Sequence, residues 1–137
     1  MAKNIMFVDD EAGILKSLKW VFANEPYCYL GFDNPEAALA KMEETEIAVV
    51  VADQRMPKME GIQFLERVKE RWPDTIRIIM TAYLDFNVMV NAVNKANVYR
   101  VILKPWDETE IKMTINNAMA EYASKAGSFT KPEFLRE

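Results

Sequence analysis

The sequence predicts an α/β domain: a doubly wound, five-stranded parallel sheet with helices on both faces. Five short apolar runs alternate with longer segments of helical period, giving five β-then-α units joined by short links. The third run, Val49-Val50-Val51-Ala52, is apolar without a break, as a strand covered on both faces must be. A chain of 137 residues, 50% hydrophobic and 28% charged, suits one domain with a single core.

Residues 4–8 (NIMFV) read as the first strand, and 11–23 as a helix with Ile14, Leu18, Val21 and Phe22 on one face. Residues 27–32 (YCYLGF) read as the second strand. Asn34-Pro35-Glu36 then supplies a helix start, an N-cap residue before a proline at the first helical position, for a helix reaching Glu44. The third strand spans 47–52. A helix over 61–71 carries Ile62, Leu65 and Val68 and stops before Pro73. Residues 76–81 (IRIIMT) are the fourth strand, 86–96 a helix with Met89, Val93 and Ala96 inward, and 99–103 (YRVIL) the fifth strand. A last helix starts near Asp107, where Asp107 and Glu110 have capping-box spacing, and carries Ile111, Ile115, Ala118 and Tyr122. Residues 1–123 form the domain; 124–137, with Gly127 and Pro132, read as a fraying helix end or the start of a linker.

Composition removes several function classes. The chain has no histidine, which excludes most zinc sites and every Ser-His or Cys-His nucleophile pair. Its net charge of −4 and the lack of a Lys/Arg run argue against direct nucleic-acid binding. A lone Cys28 precludes an internal disulfide. No stretch reaches the ~18 apolar residues of a membrane span, and the first residues do not read as a signal peptide. The expected location is the cytoplasm.

Open α/β sheets keep their ligand sites at the carboxyl ends of the strands. Asp9, Asp10 and Glu11 follow the first strand and Asp53 the third; Thr81-Ala82 end the fourth, and Lys104-Pro105 follow the fifth. Any one of these has a bland reading. Asp9 and Asp10 could cap a helix, Lys104 could be a solvated lysine, and Thr81 a strand-end hydroxyl. Complementary groups from four strand ends are much harder to reach by accident.

The stretches VDDE (8–11), ADQRMP (52–57), TA (81–82) and KPW (104–106) together resemble the receiver domain of bacterial two-component response regulators, over roughly residues 3–123. The resemblance implies a flavodoxin-like fold with strand order 2-1-3-4-5. It implies that Asp53 accepts a phosphoryl group from a sensor histidine kinase or histidine phosphotransfer protein. Thr81 and Lys104 would assist, and Mg²⁺ would be held by Asp10, Asp53 and the backbone carbonyl of Arg55, with Asp9 beside them. Crowded carboxylates favour a bound cation, and an all-oxygen site suits Mg²⁺. Small Ala82 leaves room beside Thr81. Arg55 and Tyr83 stand where the family tunes hydrolysis of the phosphoryl group; both are bulky here, which implies a long-lived phosphoryl state. The family's signalling face is the fourth helix, fifth strand and fifth helix, which docks partners or a second copy. Such a domain is no enzyme beyond its own phosphorylation and dephosphorylation.

One position departs from the pattern. Val101 stands where many receivers carry a switching aromatic residue; Tyr99, two places earlier, is expected on the same strand face by alternation. YRVILKPW (99–106) also resembles receivers joined to cyclic-dinucleotide phosphodiesterases or ATPase-type transcription activators, which implies a C-terminal output domain. Two other functions stay open. An aspartyl-nucleophile phosphohydrolase of the haloacid-dehalogenase type usually has a second acid where this chain has Arg55. A phosphate-independent adaptor would keep the fold but lose an acid, the threonine or the lysine. A flavin site lacks its phosphate-cradling loop.

Overall fold

A computed structural model describes residues 3–82 and 85–130, with side chains to residue 125. Its strands are β1 (Asn4–Val8), β2 (Cys28–Phe32), β3 (Val49–Asp53), β4 (Ile76–Thr81) and β5 (Arg100–Leu103). The helices are α1 (Ala12–Val21), α2 (Pro35–Glu44), α3 (Gly61–Arg71), α4 (Phe86–Asn91) and α5 (Glu108–Thr130). The strands form one parallel sheet in the order β2-β1-β3-β4-β5, the flavodoxin-like arrangement. The chain crosses over between β1 and β2 on one side and β3 on the other, which opens a crevice at the carboxyl ends of β1 and β3.

Alternation along the strands divides the core into two layers. Ile5, Phe7, Val49, Val51, Ile78 and Met80 face α1 and α5, meeting Leu18, Phe22, Ile111, Ile115, Ala118 and Tyr122. Met6, Val8, Val50, Ala52 and Ile79 face the other way, against Ala38 and Met42 of α2 and Phe64, Leu65 and Val68 of α3. Each valine, leucine, isoleucine, phenylalanine or methionine among them contributes roughly 1.5–3 kcal/mol by leaving water. Those layers hold the central strands rigid where they deliver their carboxyl ends. The α2 start is as predicted: Asn34 Oδ1 accepts from Glu36 N at 2.8 Å and Ala37 N at 3.2 Å. At α5, Asp107 Oδ2 accepts from Glu110 N at 2.9 Å.

Three expectations need correction. Asp53 is the last residue of β3, paired with Met80 of β4, rather than the first residue after the strand. The fourth helix is α-helical only over Phe86–Asn91 and continues as a π-helical turn, Ala92–Ala96, ended by Asn97 at φ 50°. A π turn is wider than an α turn, so residues four apart stay in line. Ala92 and Ala96 are therefore the buried pair, with Val88 packed beside them, while Val93 points outward. Tyr99 precedes β5, so strand alternation does not extend to it. Its ring packs on the α1/α5 layer, and Val101 packs on the opposite one.

Arg77 is a buried charge on β4. Its Nε donates to Ala96 O at 2.9 Å, and Nη1 donates to Pro73 O at 3.1 Å and Thr75 O at 3.0 Å. Burial lowers the pKa of its guanidinium, with Asp74 acting in the opposite direction. The carbonyl at the end of the π turn is thereby tied to the central sheet.

Candidate functional site

The carboxyl ends of β1, β3, β4 and β5 converge as predicted. Lys104 Nζ lies 3.1 Å from Asp53 Oδ1 and 2.9 Å from Asp9 Oδ2, with Glu11 Oε1 more distant at 3.9 Å. Asp9, Asp53 and Thr81 are buried, and Asp10 is exposed. Main-chain bonding fixes the lysine: Lys104 N donates to Thr81 O at 2.9 Å, one step past the Thr81–Leu103 pair of the sheet. The Lys104–Pro105 peptide bond is cis.

The helix-capping reading of Asp9 does not hold. Its Oδ1 accepts from Glu11 N at 2.9 Å, but Glu11 is itself the N-cap residue of α1, outside the helix. The other oxygen, Oδ2, is buried without a hydrogen-bond partner; Lys104 approaches it as an ion pair outside hydrogen-bond angles. The Lys104 ammonium answers that oxygen only in part, because Asp53 shares it.

Asp9, Asp10 and Asp53 each present a carboxylate oxygen such that all three lie within 4.8 Å of one another. Burial pushes the Asp53 carboxyl up to about 6, Lys104 pulling it down and Asp9 and Asp10 pushing it up. For Lys104, burial acts downward, but the carboxylates of Asp9 and Asp53 outweigh it and raise the ammonium pKa. The ammonium therefore stays charged, and the three carboxylates still outnumber it. This donor set is all oxygen and carries surplus negative charge, which fits a hard divalent ion such as Mg²⁺. Arg55 and Asp10 line one open depression beside the acids, so the loop that carries Arg55 borders the same site. Ala82 is exposed at the end of β4, and Tyr83 lies outside the described residues.

Two residues at this site were not singled out from the sequence. Gln54 is buried directly after Asp53, and its Oε1 accepts from Ile62 N at 3.0 Å. Gly61 opens α3 against the back of Asp53. A Cβ there would overlap the Asp53 carbonyl oxygen and lie 2.7 Å from Ile79 Cδ1. The sequence signal for Gly61 was a glycine at a helix N-terminus, where a close backbone approach is one reason to find it. Gln54 carries no comparable signal.

A flavodoxin-like sheet whose strand tips join a carboxylate triad, a buried hydroxyl and an ammonium is the class of domain that the sequence motifs resemble. The response regulator receiver domain family matches residues 5–116, and the chain belongs to it. Among curated relatives, the hydrogenase transcriptional regulatory protein HoxA of Cupriavidus necator is 33% identical over 115 residues, 84% of this chain and 24% of that protein. The chain thus spans about a quarter of the length of the curated relatives it matches. Among solved structures, the signal receiver domain of an HD domain-containing protein from Pseudomonas fluorescens Pf-5 superposes with TM-score 0.87 at 27% identity, covering 90% of this chain and 99% of that one. The beryllofluoride-activated NtrC4 receiver domain dimer gives TM-score 0.82 at 31% identity, covering 88% and 98%.

Proposed function

We propose that Asp53 accepts a phosphoryl group from the phosphohistidine of a sensor kinase or phosphotransfer protein in two-component signalling. The single observation behind this reading is the Lys104 ammonium between Asp9 and Asp53, beside a third carboxylate from Asp10. At pH 7 a carboxyl that titrates near 6 is mostly ionised, so Asp53 is available as a nucleophile. One Asp53 oxygen attacks phosphorus, the P–N bond breaks, and its electron pair returns to the imidazole nitrogen. Asp9, Asp10, Asp53 and the Arg55 carbonyl would hold Mg²⁺, which would supply neutralisation of charge on the transferring oxygens. Lys104, beside Asp53, neutralises charge on the same oxygens, and the Thr81 hydroxyl donates to a phosphoryl oxygen of the product.

The product's charge draws Thr81 and Lys104 inward, and this biases α4, β5 and α5. That face carries exposed apolar side chains: Phe86 at 79%, Val93 at 56%, Leu103 at 48% and Met113 at 58%. Such side chains suit burial against a second copy or a partner. The dimeric state of the activated NtrC4 receiver supports the homodimer. HoxA is a transcriptional regulator, which supports a C-terminal output domain in the full-length protein. No described helix is long and apolar enough to cross a membrane; the proposed setting is the cytoplasm, where the kinase's phosphohistidine would be met.

Incubation with Mg²⁺ and acetyl phosphate tests the reading. One added phosphoryl group is expected by mass, lost in Asp53→Asn and without the metal. Steady turnover of a phosphate ester would instead indicate a hydrolase, and no modification an adaptor; either result overturns the proposal.

A further inference from the structure

Gln54 spends three hydrogen bonds on one junction. Its N–H donates to Met80 O at 2.9 Å, which ties it to β4. Its main-chain oxygen accepts from Gly61 N at 3.0 Å, and its side-chain Oε1 accepts from Ile62 N at 3.0 Å. Gly61 and Ile62 are the first two residues of α3, whose leading N–H groups have no partner within the helix. One residue on the strand side therefore answers both. It closes the loop from 54 to 61 at its base, and the next residue in that loop is Arg55.

The chemistry of the side chain matters here. Gln54 is buried beside a cluster of acids, so a charged acceptor in its place would add to their repulsion. An apolar residue of the same length would leave Ile62 N–H buried and unpaired, which is unfavourable. A neutral amide of this reach meets both demands. Gln54 also borders the open depression shared by Asp10 and Arg55, which puts the loop's anchor next to the acids it serves.

We infer that Gln54 is a positioning residue for the divalent cation: by locking the 54–61 loop to the start of α3 it holds the Arg55 carbonyl at the carboxylate cluster. This rests on the Mg²⁺ reading proposed above. Gln54 acts through the loop and touches neither the cation nor the phosphoryl group. Residues that orient metal ligands typically change affinity by about 10–100-fold when removed.

The test is Mg²⁺ binding to the full chain by calorimetry, with urea unfolding measured in parallel, for wild type, Q54M and Q54E. Q54M is expected to bind Mg²⁺ about tenfold more weakly. Q54E keeps an oxygen within reach of Ile62 N but adds a charge beside the acids, so it should bind Mg²⁺ more tightly than Q54M while unfolding at lower urea than wild type. With acetyl phosphate, Q54M should be slow at low Mg²⁺ and approach the wild-type rate when Mg²⁺ saturates, a split that a general loss of stability would not produce. If Q54M does not fold, Q54N, whose amide is one methylene too short for Ile62, replaces it with the same expectation. Wild-type binding matched within twofold by Q54M or Q54N overturns the inference alone. A wild-type chain that takes up no Mg²⁺ overturns the underlying reading, and this inference with it.

Discussion

Replacing Asp53 by asparagine should make the metal-free protein more stable at neutral pH. The carboxyl is buried, and its pKa rises from 3.8 to about 6 on folding, burial being the largest cause. The folded protein thus holds a proton that the unfolded chain has already released between pH 3.8 and about 6. Stability falls as pH rises through that window and stays reduced above it. At roughly 1.4 kcal/mol per pH unit, the gap amounts to about 3 kcal/mol. Asparagine keeps the shape and discards the charge, so Asp53→Asn should recover about 3 kcal/mol at pH 7.5 and less than about 1 kcal/mol at pH 4. For a chain of this length that is an increase of roughly 10 °C in Tm at the higher pH. Thermal unfolding followed by circular dichroism, with EDTA present, measures both. Adding Mg²⁺ should then close the gap by stabilising the wild type, by about 2.7 kcal/mol at a hundredfold excess over Kd. A variant no more stable than wild type at pH 7.5, or one with an equal gain at pH 4, would refute the reasoning.

Other substitutions probe the supports of the site. Gly61→Ala should destabilise by about 1–3 kcal/mol, because the new methyl overlaps the Asp53 carbonyl and Ile79; an unchanged urea midpoint would show that β3 and α3 can part at no cost. Arg77→Met leaves the carbonyls of Ala96, Pro73 and Thr75 without their donor and should cost about 2–3 kcal/mol. Faster hydrogen exchange is expected at amides 92–98, and wild-type exchange there would rule out the clasp. The double variant Arg55→Ala/Tyr83→Ala should shorten the phosphoryl lifetime about threefold or more, roughly 0.6 kcal/mol of barrier. A lifetime equal to wild type in a radiolabel decay assay would dismiss the shielding of attacking water by these two side chains.

The sheet and the polar cluster were legible because both follow from local pattern plus topology. Val49 to Ala52 had to be a covered strand, and a parallel sheet with short links then forces Asp9, Asp53, Thr81 and Lys104 to one edge. What escaped depends on contacts that no local pattern encodes. The π turn itself packs on α3 and is bonded to Arg77 of β4, so helical spacing chose Val93 when Ala92 is the buried residue. Tyr99 was assigned a face by strand alternation, yet it stands before the strand begins. Gln54 is a polar residue after a strand, indistinguishable in sequence from a solvated one until the first turn of α3 is set against it. Arg77 is a single charge within IRIIMT, and its carbonyl partners come from separate connections on either side of β4.

The arginine clasp has a mechanical consequence. Arg77 and Thr81 occupy one row of β4, at opposite ends, and the fourth helical segment lies alongside that row. Its far end is moored by a guanidinium and sinks two alanines into the core, whereas Phe86–Asn91 has no fully buried side chain. A rod fastened at one end answers a pull at the other by swinging. A pull on the start of the segment is therefore expected to tilt it about its alanine end, with Phe86 moving farther than Val93.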